Sequence, residues 1–375
     1  MFRLRQCQVR RKASCFAAAF LLAFVCCLEN QSVLAGSATW NGTTNSTWST
    51  STNWSAGGPP GTGNTATFSN AGNGNTTLDL GAGVTVNTVL FDTSSVAAYT
   101  IGSGAVGSQT LTLNNGGAVT MNATVAANQL FNAAITLGTS RVISTYTFTN
   151  DSTTNTLTFA GNITDTSNPS GSAGPKTLAL AGAGNGTISG IISDGNQTTV
   201  GITKSGTGTW TLSGANTYAG GTSVIAGTIG IGSNIALGTG TLTLGGTSAI
   251  TPTILASGAA RTIANNVSLG AVTTGNATIG GSNDLIINGS VTNSGSNRTL
   301  AVNNAGTTTL GGNVSYQRIL VRAALLRLRA QAISCWGEPS LTLVVRAPPA
   351  VLPLIAPTQG RRRLAGLILI RVRQL

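Results

Sequence analysis

The 375-residue chain contains no histidine, and between Gly36 and Tyr316 it has no cysteine and no glutamate either. Those absences remove Ser-His-Asp and Cys-His catalysis, histidine metal sites and any disulfide framework from the long middle of the chain. Charge is equally scarce there. Arg141, Lys176, Lys204, Arg261 and Arg298 face Asp79, Asp92, Asp151, Asp165, Asp194 and Asp284, so five cations against six carboxylates leave a balance of about −1. The net charge of +12 therefore belongs to the two ends, with five basic residues from Arg3 to Lys12 and ten from Arg318 to Arg373. That distribution speaks against a nucleic-acid partner, which would need basic residues on the body itself. Aromatic residues make up 5% and glycine accounts for 50 positions, too few large side chains for one thick core. An elongated repeat fits that composition better than two or three globular domains.

What the middle does contain is short alternation. In the stretch Ile202 to Leu244, apolar residues occupy every second position of runs such as Trp210-Thr211-Leu212 and Leu242-Thr243-Leu244, separated by Gly, Asn and Thr. Runs of three or four residues are too short for helices and suit strands with one face turned inward. Looser versions recur from Asn70 to Tyr316, for instance Val84 to Phe91, Leu178 to Leu180, Val267 to Leu269 and Leu300 to Val302. The recurring alternation argues against disorder, which the Gly, Ser, Thr and Asn between the runs would otherwise suggest. One coil of such strands cannot fold alone, because a handful of buried side chains at roughly 1.5 to 3 kcal/mol each does not offset about 1 to 2 kcal/mol of backbone entropy per residue. Stacked coils share their apolar faces and backbone hydrogen bonds, and residues 70–316 would hold about 11 to 14 coils of roughly 20 to 25 residues. Leu212, Val224, Ile229, Leu242 and Leu244 are expected inside. The pairs Asn114-Asn115, Asn265-Asn266 and Asn303-Asn304 are expected at tight left-handed corners, with stacked amides bonding to one another.

The ends read differently. Residues 1–35 have a basic start, an apolar run from Cys15 to Leu28 and small residues before Gly36, the three parts of a secretory signal peptide, and the run is short of the ~20 residues a membrane span needs. Residues 36–69 carry three tryptophans, Trp40, Trp48 and Trp54. They suit an N-terminal cap over the first coil better than an exposed platform for sugars.

The stretch from Ile202 to Leu244 resembles the autotransporter-associated β-strand repeat of bacterial surface proteins. The matching positions are Lys204, Gly206, Gly208, Thr209, Leu212, Gly214, Asn216, Thr217, Tyr218, Gly220, Gly221, Thr222, Val224, Gly227, Thr228 and Gly238. Weaker copies cover 173–201 and 285–316, and the Trp-rich start is similar to the opening of such proteins, with Asn64 where an acidic residue is usual. The resemblance implies an all-β, right-handed parallel β-helix, secreted or held at the cell surface as part of a larger passenger protein.

After Tyr316 the composition changes abruptly. Residues 317–375 lose Asn entirely and nearly all Gly and Thr, and gain Arg, Ala, Leu and Pro. They could be a basic amphipathic arm for anionic membranes. A membrane anchor fits less well, because Leu364 to Ile370 is far too short to span. The reading favoured by the composition is a reading frame out of phase, since Gly, Thr and Ala codons in GC-rich DNA yield Arg, Ala and Pro when shifted. A membrane partner is expected only if this tail is genuine.

No catalytic residue, cofactor or metal site is expected. A polysaccharide-acting enzyme would need a carboxylate pair, and Asp165 with Asp194 has no company that would set their acidities apart. The single Gly280 to Asp284 loop, GGSND, lacks the repetition of a calcium-binding β-roll. Threonines in Thr207-Gly208-Thr209, Thr239-Gly240-Thr241 and Thr307-Thr308-Thr309 are expected to point outward, and regular threonine rows could order ice, although the spacing looks too irregular. A structural or adhesive role remains, with a glycan or surface polymer as partner. End-to-end self-association is a second expectation, if the last coil leaves its strand edges open.

Overall fold

A computed structural model of the chain describes residues 36–315 apart from 56–57, 139–141, 167–173, 196–197, 246–250, 271–275 and 294–299. Beyond residue 315 it describes only the strands Leu320–Val321, Leu325–Arg329, Thr342–Arg346 and Ile368–Leu369. Residues 1–35, where a signal peptide was expected, and most of the tail lie outside the described residues.

The described body is a parallel β-solenoid. Its first sheet runs from Ala38–Thr39 through Val84–Phe91, Lys176–Ala181, Val200–Lys204, Thr222–Val224 and Leu242–Leu244 to Val314–Ser315. Ala134–Leu137, Ile163–Thr164 and Ile192–Ser193 branch from it as a separate flank. The second sheet stacks ten strands, from Thr77–Leu78 to Leu300–Val302, one to a turn. A third begins at Arg261–Ile263 and continues through Leu285–Ile287 to Thr307–Leu310. Every pairing among these strands is parallel, which follows from each coil returning to the same side of the last.

About ten turns result, fewer than the coil length read from the sequence allows. The coils before Lys176 are longer: the amide of Asn122 reaches the Asp92 carboxylate one coil back across 30 residues, whereas Asn216 reaches Ala236 on the next coil across 20. Thr110–Met121 explains part of the excess. It is one twelve-residue strand through Asn114-Asn115, where a left-handed asparagine corner was expected; it bulges there, and the left-handed residue is Gly116 with φ +75°. The other asparagine pairs are not left-handed corners either; among the described non-glycine residues only Asn73 and Thr93 have positive φ. Their amides bond to the backbone of neighbouring coils instead. Asn265 donates to the Gly238 and Gly240 carbonyls at 3.0 and 2.8 Å, and Asn304 to the Asn283 carbonyl at 2.8 Å.

The core lies between the sheets. Leu212, Val224, Ile229, Leu242 and Leu244 are all buried, as the alternation requires. An aromatic column threads the N-terminal half: Phe68 stacks on Phe91, Phe131 on Phe159 and Phe148 on Phe159, with ring centroids 5.2, 4.7 and 4.2 Å apart. At the N-terminal end Trp40, Trp48 and Trp54 are buried, and Trp54 meets Trp48, Trp40 and Phe68 at 4.6, 5.1 and 6.1 Å. Their indole nitrogens are occupied as well, Trp54 donating to the Trp48 carbonyl and Trp40 to that of Asn75. Rings so enclosed offer no stacking face to a sugar. At the other end, Thr342–Arg346 pairs antiparallel with Thr307–Leu310, so the edge of the third sheet that was expected to be open is covered.

Candidate functional site: the repeat motif and the hydroxyl face

The stretch from Ile202 to Gly238 forms two short coils, with Lys204 opposite Val224 and Val224 opposite Leu244. Its polar residues act as staples between coils. Asn216, fully inside, accepts from the Ile192 amide at 2.8 Å and donates to the Ala236 carbonyl at 2.6 Å, so one side chain ties three successive coils. Tyr218 shares a 2.6 Å hydrogen bond with the Thr222 hydroxyl, and burial raises its pKa well above the ordinary phenol range. Gly214 is needed because a Cβ there would overlap the Gly190 carbonyl of the preceding coil.

Lys204 is the unusual member. Its side chain is buried, and its ammonium donates to the carbonyls of Ser205, Gly206 and Ala226, closing a corner that two coils share. Burial pulls its pKa down to about 8 from 10.5. Between those values the folded protein binds fewer protons than the unfolded chain, so this lysine's contribution to stability rises with pH. Below pH 8 both states carry the charge and the burial cost is felt in full. Above pH 10 the buried Tyr99, Tyr146 and Tyr218, all raised by burial, act in the opposite direction. From pH 8 to about 9.5 we expect the parent chain to gain up to about 2 kcal/mol relative to Lys204→Met, measured by urea denaturation at each pH. Parallel curves for the two proteins would exclude this role.

The outer face of the first sheet carries a rank of hydroxyls, interrupted at Ala179, that the stacking brings into register. Thr147, Ala179, Thr203, Ser223, Thr243, Ser268 and Thr292 lie opposite one another, one per coil. A second rank on the next sheet places Thr209, Thr228, Thr253 and Thr278 together. The expected outward Thr308 is instead buried, bonded to Asn304, while Thr307 and Thr309 on either side face outward.

Beside the first rank the sheet is indented. Gly201, Gly220 and Gly221 floor a depression of about 390 Å³, rimmed by Thr177, Thr203, Ser223, Thr241 and Thr243. That volume falls at the small end of ligand-binding clefts. No acidic or basic side chain lines it. Lys176 and Lys204, on the two strands alongside, point into the core. Asp194 beneath one end accepts from the amides of Val200 and Ala219 at 2.7 and 3.1 Å.

Asp165 and Asp194 directly follow the paired strands Ile163–Thr164 and Ile192–Ser193, and each is engaged by the fold. Asp165 is buried and accepts the Thr198 hydroxyl, while Asp194 pins the coil ends just described. Asp284, in the loop weighed for calcium, accepts the Thr307 amide as part of a coil-to-coil turn. Among the described residues no three His, Cys, Asp or Glu side chains come close enough to hold a metal ion.

With the staples and glycine contacts in place, the comparison with known families has a structural meaning. Residues 202–231 match the passenger-associated-transport-repeat model. The match begins on the strand that carries Lys204 and ends where Thr228–Ile231 closes the next coil, so the repeat is one structural unit with its staples. Lys204, Gly206, Asn216, Gly214 and Gly227 of the repeat are all residues whose role here is to join neighbouring coils. No curated protein and no solved structure matches the chain. The repeat and the β-solenoid together fit an autotransporter passenger-like protein, and the repeat family implies a secreted or cell-surface location.

Proposed function

We propose that this chain is an exported bacterial β-solenoid that works at the cell surface as a structural or adhesive element, without chemistry of its own. The observation that carries this reading is the match over 202–231, set in a solenoid whose polar residues are engaged in holding coils together. Such an architecture suits presentation of a long regular face rather than turnover. The uncharged outer ranks of threonine and serine supply that face, and the terminal strands of the first two sheets, Val314–Ser315 and Leu300–Val302, give it a second means of association, with another copy of the chain.

Export has a direct test. The chain recovered from producing cells is expected to begin at Gly36, read by N-terminal sequencing or by the mass of its first peptide. Recovery of an intact Met1 start on the mature protein would overturn processing by a signal peptidase.

A further inference from the structure

We propose that the depression over Gly201, Gly220 and Gly221 is a subsite for one sugar residue of an uncharged polysaccharide lying along the hydroxyl rank of the first sheet. This rests on the adhesive reading above and names the class of ligand that face would take.

Three observations carry it. The first is availability: the hydroxyls of Thr203, Ser223 and Thr243 have no hydrogen-bond partner among the described residues, and each offers one donor and two acceptors. They repeat at the spacing of stacked strands, ~4.8 Å, comparable to the advance of one sugar ring along a polymer. The second is charge. The rim and floor carry none, Lys176 and Lys204 alongside are buried, and both oxygens of Asp194 are engaged by amides. An acidic polymer would find no counter-charge there, whereas a neutral one meets hydroxyls, threonine methyls and peptide faces.

The third is Gly201 itself. Gly220 and Gly221 have backbone reasons to be glycine, since a Cβ would come within 2.5 Å of the Val200 carbonyl at the first and φ is +79° at the second. Gly201 is less constrained. Its φ is not positive, and a Cβ would press on the Gly220 carbonyl at 3.1 Å, a tight contact that a shift of a few tenths of an ångström relieves. Its in-register neighbour Thr177, and Thr145 before it, show that the row otherwise takes threonine. A threonine at 201 would continue the row and fill the depression.

The test is retention of the purified full chain by a panel of uncharged polysaccharides, β-glucan, mannan and xylan, with alginate and polygalacturonate as acidic controls. We expect binding to at least one uncharged polymer, insensitive to salt because no ion pairs form. Gly201→Thr should weaken it about tenfold or more while the melting temperature falls by only a few degrees. Thr243→Val, which keeps shape and removes one hydroxyl, provides a second reading should Gly201→Thr disturb the fold, and Thr158→Val on the second sheet should bind as the parent does. Retention only by the acidic polymers, no retention by any polymer, or binding that survives both Gly201→Thr and Thr243→Val would overturn the proposal. So would ice-crystal shaping by the parent without polysaccharide binding. Because purified protein is used, failure here leaves the export reading standing, and a chain that binds glycan but is confined to the cytoplasm removes the export reading alone.

Discussion

Replacing Gly227 by valine should cost about 3 to 4 kcal/mol, seen as a lower urea midpoint and as new protease cleavage around the 202–238 coils. Gly227 has φ +65°, a conformation that costs a β-branched residue roughly 1 to 3 kcal/mol by itself. Crowding adds to that. A Cβ there would run into the Gly206 carbonyl and come within 2.7 Å of both the Gly208 carbonyl and the Lys204 ammonium. Relief would require the corner that Lys204 closes to open, exposing carbonyls that now have a donor. Gly63 supplies the contrast. It also has positive φ, +87°, but nothing lies within 4 Å of a Cβ there, so Gly63→Ala should cost only about 1 kcal/mol. If Gly227→Val and Gly63→Ala prove equally mild, close coil contact does not govern the corner.

Phe159→Ala should be comparably severe, about 3 to 5 kcal/mol. The ring lies between Phe131 and Phe148, at 4.7 and 4.2 Å, and reaches Trp210 at 6.3 Å. It thus links strands of successive coils on both main sheets. Truncation would leave a cavity that rigid parallel ladders above and below cannot close. Phe159→Leu keeps most of the volume and should cost clearly less, on the order of 1.5 kcal/mol. Because each coil depends chiefly on its neighbours, the loss is expected to appear first as exchange of amides in 131–212, with the Trp40, Trp48 and Trp54 cluster still folded. Uniform loss of protection along the whole body would show that the solenoid melts as one unit.

Which parts of this architecture the sequence reveals follows from how far each signal extends along the chain. Alternation is local, two residues apart, so Leu212, Val224 and Leu242 announce their inward direction without reference to any other coil. The repeat motif spans one coil and its partner, which is why Lys204 to Gly238 could be recognised as a unit. Its internal logic was less visible: Lys204 and Asn216 look like surface residues until the three carbonyls around one and the two coils joined by the other are seen. Strands such as Thr253–Ala256 and Gln129–Phe131 escaped notice because a single pair of inward residues among small ones gives little contrast.

The hydroxyl rank was hidden for a different reason. Register between coils depends on the length of each coil, and that length varies. Thr203, Ser223 and Thr243 fall at even intervals, but Ser268 and Thr292 follow at others, and Thr147 precedes them by a long coil. Read along the chain the threonines look irregular; read across the sheet they line up. Thr308 shows the converse, an apparent outward residue in a run of three threonines that the pairing of Ile287 with Leu310 turns inward.

The most direct measurement is of where the folded body resides. An antibody raised against residues 36–315 should decorate intact, unpermeabilised producing cells, and fractionation should place the chain at the outer surface or in the medium. Staining that appears only after the cells are opened, with the chain confined to the cytoplasm, would contradict the account of an exported surface solenoid.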